Sequence, residues 1–329
     1  QAHTMIDITL ENFETDLLAT SARVPVLLDI WAPWCGPCKQ LGPVLEQLEQ
    51  EYAGRFVLAK LNADEQPEIA GQLSQMFGVR SIPFCVMFTQ GQPVDGFVGA
   101  LPAEKIREFL AKHVPGEGEI ESLVETQEAE HLADAGDADS ALALLEDALA
   151  KDPDNDEARF DLIKLLLSEG ALEPAQAAFE PIASRATGPL AEQRVTAFGR
   201  YIEALAHARQ CRRPSELAAA IEANKRDFEA RFDLAQLFFA TGQFTQAMDE
   251  LLEIIMRDKG WSDERARKTY VAILEVMSKP VPKPSAKAAA AAAAAQGDKP
   301  KLEVAGKVAM APADPVIDQY RRKLSMALF

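Results

Sequence analysis

Trp31-Ala32-Pro33-Trp34-Cys35-Gly36-Pro37-Cys38-Lys39 decides how the first third of this 329-residue chain is read. The apolar run Val26-Leu27-Leu28-Asp29-Ile30 precedes it and suits a buried strand, and a helical pattern over Cys35–Tyr52 follows it. The two cysteines therefore fall at a strand-to-helix junction. A sulfur there meets free backbone N–H groups and the positive end of the helix dipole, both of which favour the thiolate. Cys35 precedes the helix interior and is expected to be accessible, as the attacking thiolate. Cys38, one turn further in, is expected to be shielded and to resolve the mixed disulfide. Gly36 and Pro37 keep the two sulfurs close. A zinc site would need two more ligands nearby. Four cysteines in a chain of this length do not make a disulfide framework, so the pair reads as redox chemistry.

Working outward, Phe56-Val57-Leu58-Ala59-Lys60-Leu61 is a second buried-strand pattern. Phe84-Cys85-Val86-Met87-Phe88 and Val94-Asp95-Gly96-Phe97-Val98 flank the turn Gln90-Gly91-Gln92-Pro93 and read as a hairpin. Helical patterns cover Glu11–Ala22, Pro67–Phe77 and Pro102–His113, and Pro115-Gly116 punctuates the chain. With these elements in this order, the nine quoted residues read as the thioredoxin active-site motif, and about 110 residues resemble that family. The resemblance implies an α/β thioredoxin fold over 1–116. It implies that Asp29 is a buried proton acceptor for Cys38 and that Lys60 pairs with it. It implies a cis bond at Ile82-Pro83, packed against the dithiol, with Trp34, Gly36, Pro37 and Ile82 on the substrate side. Pro43 matches the family's helix-kinking proline. One departure stands out: where thioredoxins often have Thr after the proline, this chain has Phe84 and then Cys85. Cys85 reads either as a small buried hydrophobe or as a third thiol beside the groove.

From Glu117 to about Ser278 almost everything has helical period, and a repeat emerges. Glu157-Ala158-Arg159-Phe160-Asp161-Leu162 recurs letter for letter as Glu229–Leu234, at an offset of 72. Ala141, Ala175 and Ala247 keep the register, each followed four residues later by Leu145, Phe179 or Leu251. Together with Ala129, Ala148 and Pro153, they resemble tetratricopeptide repeats, in which small residues let paired helices approach closely. An all-α repeat domain is expected over 117–278, with a degenerate unit between about Ala191 and Asn224. Cys211 sits there beside Arg212 and Arg213 and reads as packing or as an activated thiol.

Residues 279–313 carry a Pro-rich stretch and eight consecutive alanines, Ala288–Ala295, with almost nothing large to bury. They are expected to form a linker, extended at its prolines and transiently helical at its alanines. Asp314–Phe329 regains amphipathic character, with Asp314 as N-cap and Pro315 as the first helical residue. Val316, Tyr320, Leu324 and Ala327 or Leu328 are expected to share one face. The net charge is −17, of which −16 sits on 117–278, while the linker and tail are mildly basic. That balance argues against nucleic acid. The acidity reads as a solvated face or as repulsion of acidic partners. No apolar run is long enough for a membrane span. Gln1-Ala2-His3-Thr4 shows no secretory pattern and Met5 reads as the native start, so a cytoplasmic location is expected.

The order of thioredoxin domain, acidic repeats and terminal amphipathic helix resembles the chaperedoxins, bacterial co-chaperones of the CnoX/YbbN type. Gly91–Phe97, Arg267-Lys268-Thr269-Tyr270 and Tyr320-Arg321-Arg322-Lys323-Leu324 carry this resemblance along the chain. It implies a holdase that captures unfolding proteins under oxidative stress, limits overoxidation of their cysteines, and passes them to the chaperonin GroEL through the C-terminal helix. The residues implied in docking are Tyr320, Arg321, Arg322, Leu324, Leu328 and Phe329. Other folding chaperones are further implied partners; no metal and no cofactor are expected. Folding back as a cap on the repeats is the alternative for the terminal helix, but the linker before it argues for a mobile helix that docks in an apolar groove. Two other functions stay open: a disulfide reductase whose repeats select substrates, and a repeat scaffold for one partner with the dithiol as a switch.

Overall fold

The computed structural model describes residues 5–281, 285–297 and 314–329. The chain divides into two units. One gathers the described residues of 1–124 and 282–300, the other those of 125–281 and 301–329.

The first unit is built on a five-stranded sheet: β1 (Ile6–Asp7), β2 (Val26–Trp31), β3 (Val57–Asn62), β4 (Phe84–Thr89) and β5 (Gln92–Val98), in spatial order β1-β3-β2-β4-β5. β3 runs parallel to β1 and β2, while β4 is antiparallel to both β2 and β5. Alternation along the strands assigns side chains to two faces. Leu28, Ile30, Ala59, Leu61, Phe84 and Val86 pack with Leu17, from the wide helical turn (Phe13–Leu18) that leads into α1 (Ala19–Ser21), and with Ile69 and Leu73 from α3 (Pro67–Phe77). Leu27, Leu58, Cys85 and Met87 face α2 (Gly36–Tyr52) and α4 (Ala103–Ala111), meeting Leu41, Leu45, Leu48, Ile106 and Leu110. Asp29, two residues after Leu27, shares that second face. The strand expected at Val94 starts two residues earlier. Gln90 and Gly91 both take positive φ (53° and 76°), which makes a tight two-residue hairpin. β1 was not foreseen, because two residues carry no periodicity of their own.

The second unit is helical. It comprises most of α5 (Glu117–Asp134), then α6 (Ala138–Lys151), α7 (Asp156–Ser168), α8 (Leu172–Phe179), a 3-10 segment (Glu180–Ala186), α9 (Gln193–Ala208), α10 (Pro214–Ala223), α11 (Phe228–Ala240), α12 (Phe244–Arg257) and α13 (Arg265–Met277). The repeated hexapeptide opens α7 and α11 in the same way. Asn155 and Asp227 cap these helices by accepting from Ala158 N and Ala230 N, each at 3.1 Å. Arg159 and Arg231 reach back to the carbonyls of Pro153 and Lys225, at 2.9 and 2.8 Å. The register alanines Ala141, Ala175 and Ala247 are fully buried, as close helix approach requires.

The alanine run forms a helix, α14 (Ala286–Gln296), capped by Ser285, and Lys287 Nζ donates to Ala111 O at 3.0 Å in the first unit. The 279–313 stretch is thus not a bare linker; its residues 282–284 and 298–313 lie outside the described set. The last helix, α15 (Pro315–Leu328), begins at the expected Asp314 cap. It folds onto α12 and α13, where Ile317 and Tyr320 are buried and Leu324, Ala327 and Leu328 pack against the repeat core. Tyr320 Oη donates to Asp249 Oδ1 at 2.9 Å, and Tyr270 Oη donates to the Tyr320 carbonyl. Tyr320, Leu324 and Leu328 therefore face the repeats rather than a free surface. Burying two large side chains is worth about 1.5–3 kcal/mol each, which favours the seated helix. Ile317, and not Val316, leads the inner stripe. Arg321, Arg322, Met326 and Phe329 stay exposed.

Candidate active site

β2 ends at Trp31, the backbone turns through Pro33 and Trp34, and α2 starts at Gly36. Cys35 is the N-cap of α2 in an extended conformation, and its sulfur accepts from Cys38 N at 3.3 Å. Pro37 occupies the first turn, where a missing N–H costs nothing. The two cysteines are joined as a disulfide, with Cα atoms 5.3 Å apart. In this oxidised form Cys35 is not accessible as expected: it is 4% exposed and Cys38 5%. Ala32, Trp31 and Ile82 cover the pair. Trp34, by contrast, is 71% exposed, its indole N–H shared between the two carboxylate oxygens of Asp64 at 3.2 and 3.1 Å. Gly36 and Pro37 are also exposed.

The Ile82–Pro83 bond is cis. It brings the Ile82 carbonyl oxygen 3.9 Å from Cys35 Sγ, a contact that becomes a hydrogen bond only when Cys35 is a thiol. Trp34, Cys35, Gly36, Pro37, Ile82 and Pro83 thus all belong to the dithiol and its surroundings.

Behind the disulfide lies a cleft of about 200 Å3, lined among others by Cys38, Asp29, Lys60, Glu46 and Gly42. Asp29 is 1% exposed and sits in the sheet between Lys60 on β3 and Cys85 on β4. Burial raises its pKa to about 6, with the Lys60 charge and the Cys85 thiol pulling the other way. Lys60 makes its ion pair with Glu46, at 3.2 Å, rather than with Asp29, which it influences through space. Gly42 leaves room for it, since a Cβ there would stand 3.4 Å from Lys60 Nζ. Cys85 Sγ donates to Asp29 Oδ1 at 3.9 Å, and burial pushes this thiol well above its ordinary range. Sequence reasoning missed Glu46 and Asp64, whose roles come from contacts across elements. Cys85 was noticed, but not its bond to Asp29, which follows from strand register.

The other sulfur, Cys211, has its pKa raised by burial, outweighing Arg212, and packs near Leu217 in the second unit. That is a packing role. Among the described residues, one group of three carboxylates gathers elsewhere: Glu130, Glu157 and Asp161 in the repeats, with oxygens within 4.8 Å of one another. No helix among the described residues is long and apolar enough to cross a membrane.

Comparison with known proteins assigns the same parts. Residues 4–112 match the family model described as thioredoxin, and residues 132–193 and 207–286 match two models described as tetratricopeptide repeat. The chain is 46% identical to a thioredoxin of Chlorobaculum thiosulfatiphilum over 108 residues, covering 33% of this chain and 94% of that protein. It is 42% identical to thioredoxin 1 of Nostoc sp. over 107 residues (32% and 94%). It is 40% identical to a thioredoxin of Haemophilus influenzae over 110 residues (33% and 97%). These relatives match the N-terminal third alone.

Proposed function

The chain belongs to the thioredoxin family through its N-terminal third, and on that premise we propose that it is a redox-active co-chaperone of the chaperedoxin kind, working in the cytoplasm. It holds unfolding proteins on its repeats, exchanges disulfides with their cysteines through Cys35 and Cys38, and delivers them to a chaperonin. The observation that carries the reading is the joining, in one chain, of a complete dithiol site to tetratricopeptide-like repeats whose last seated helix turns Arg321, Arg322, Met326 and Phe329 outward.

The chemistry runs in two exchanges. In the reduced protein, the Cys35 thiolate attacks one sulfur of a client disulfide. A mixed disulfide forms, and the other client sulfur leaves as a thiolate and takes a proton from water. Cys38 then gives its thiol proton to Asp29, across the cleft that both line. The Cys38 thiolate attacks Cys35 Sγ, closes the intramolecular disulfide and expels the second client thiolate. Two electrons pass from the protein dithiol to the client. A carboxylate that titrates near 6 is suited to take up and release that proton at neutral pH.

Docking on the chaperonin falls to the outward face of α15, because the inward face is occupied. The test compares chaperonin binding by the full chain, by a chain ending at Ala313, and by Met326→Asp/Phe329→Asp. The full chain is expected to bind and both variants to lose at least tenfold in affinity. Equal binding by all three would remove the delivery step.

A second reading, a disulfide reductase with substrate-selecting repeats, is favoured by the intact dithiol and the buried Asp29. Suppression of client aggregation separates the two. It survives Cys35→Ser/Cys38→Ser if the chain is a holdase, and is absent from the wild type if the chain is a reductase alone.

A further inference from the structure

The dithiol chemistry above uses Asp29 but gives no part to Cys85, a buried thiol on the neighbouring strand. Register sets Cys85 directly opposite Asp29 in the antiparallel β2–β4 pair, and alternation puts both side chains on the sheet face that packs against α2. Side chains so placed have Cβ atoms about 5 Å apart, near enough to touch. The Cys85 sulfur is fully buried and stands 3.9 Å from Asp29 Oδ1.

The groups facing Asp29 can be taken element by element. β3 supplies Lys60, whose ammonium is engaged by Glu46. α2 supplies Glu46 itself and, across the cleft, Cys38 and Lys39. β4 supplies Cys85. Among the described residues, Cys85 is the side chain that donates a hydrogen bond to Asp29. A buried carboxylate without donors is costly to ionise, and each hydrogen bond to its charged form makes ionisation easier. Burial keeps the Cys85 thiol protonated at neutral pH, so it stays a donor and is a poor nucleophile.

We propose that Cys85 is a positioning residue for the thiol–disulfide exchange: its S–H holds Asp29 Oδ1 and stabilises the carboxylate that accepts the Cys38 proton. Cys85 itself neither forms nor breaks a covalent bond in the cycle. It holds one oxygen of the acceptor and biases its titration. This role explains why a polar-capable side chain stands at a position otherwise surrounded by Leu27, Leu58 and Met87.

The inference rests on the exchange chemistry proposed above, and its test is chosen to stand apart from it. In the full-length oxidised protein carrying 13C-labelled aspartate, the Asp29 carboxyl resonance is titrated for wild type, Cys85→Val, Cys85→Ala and Cys85→Ser. Valine and alanine remove the donor and are expected to move the midpoint up by about half a pH unit or more, while serine, a stronger donor, holds or lowers it. The acid limb of insulin-disulfide reduction is expected to move the same way. Superimposed Asp29 titrations for wild type, valine and alanine overturn the proposal. So does an upward shift in serine equal to that in valine, since that would reflect packing alone. The titration is read on resting protein. A wild type that reduces no insulin would therefore sink the proposed exchange while this result still decides the role of Cys85.

Discussion

Asp29 concentrates the conflict between folding and chemistry in one side chain. Its pKa rises from an ordinary 3.8 to about 6 because it is buried. Between those values the native protein keeps a proton that the unfolded chain has released. The stability tied to that proton is complete below about pH 4 and is lost as the pH rises through 6. Replacing Asp29 with Asn removes the dependence. On moving from pH 4 to pH 8, Asp29→Asn is therefore expected to gain about 2.5 kcal/mol relative to wild type. Denaturant unfolding of the oxidised protein, followed by hydrogen exchange in β2 and β4, measures it. Parallel pH curves for the two proteins would refute the assignment. At this scale the motif was legible because Cys-Gly-Pro-Cys acts within one turn. The burial of Cys35 was not, because it comes from packing against Ile82, which lies 47 positions away.

Among the elements, the two copies of Glu-Ala-Arg-Phe-Asp-Leu separate what a sequence encodes locally from what it does not. Their caps and their arginine-to-carbonyl bonds recur, since every partner lies within a few residues. Their aspartates diverge. Asp233 meets His207 of α9 at 2.7 Å, whereas Asp161 meets Glu157 and Glu130. That difference belongs to the neighbouring helices and could not be read from the hexapeptide. The carboxylate trio joins α5 to α7, with Lys164 and Arg194 close by. Desolvation leads in raising Glu130 and Glu157 to about 7 and Asp161 to about 6. The folded repeats thus bind protons more readily than the unfolded chain. Their stability is expected to rise as the pH falls from 8 towards 5, and to decline as the pH climbs through 7. Glu130→Gln, which relieves the crowding, should flatten that slope in a thermal melt. A wild-type melting temperature that falls as the pH is lowered from 8 towards 5, or an unchanged slope in the variant, would show that the trio does not govern repeat stability.

For the molecule as a whole, an α/β redox unit followed by helical repeats was legible because hydrophobic period and residue spacing report on architecture directly. The seating of α15 was not legible: an amphipathic stripe requires cover without naming what covers it. Here the cover is α12 and α13, secured by Tyr320 to Asp249 and by Tyr270 to the Tyr320 backbone. A helical-repeat array is close to one-dimensional, and each unit presents its neighbour with a surface that invites another unit. A chain ending at Ala313 leaves that surface bare. Sedimentation is expected to show it associating with rising concentration, while Met326→Asp/Phe329→Asp, with the helix still in place, sediments as the full chain does. Identical sedimentation of the truncated and full chains would show that the site needs no cover. In the language of polymer growth, α15 is a chain terminator: it limits the stack to the units that one polypeptide encodes.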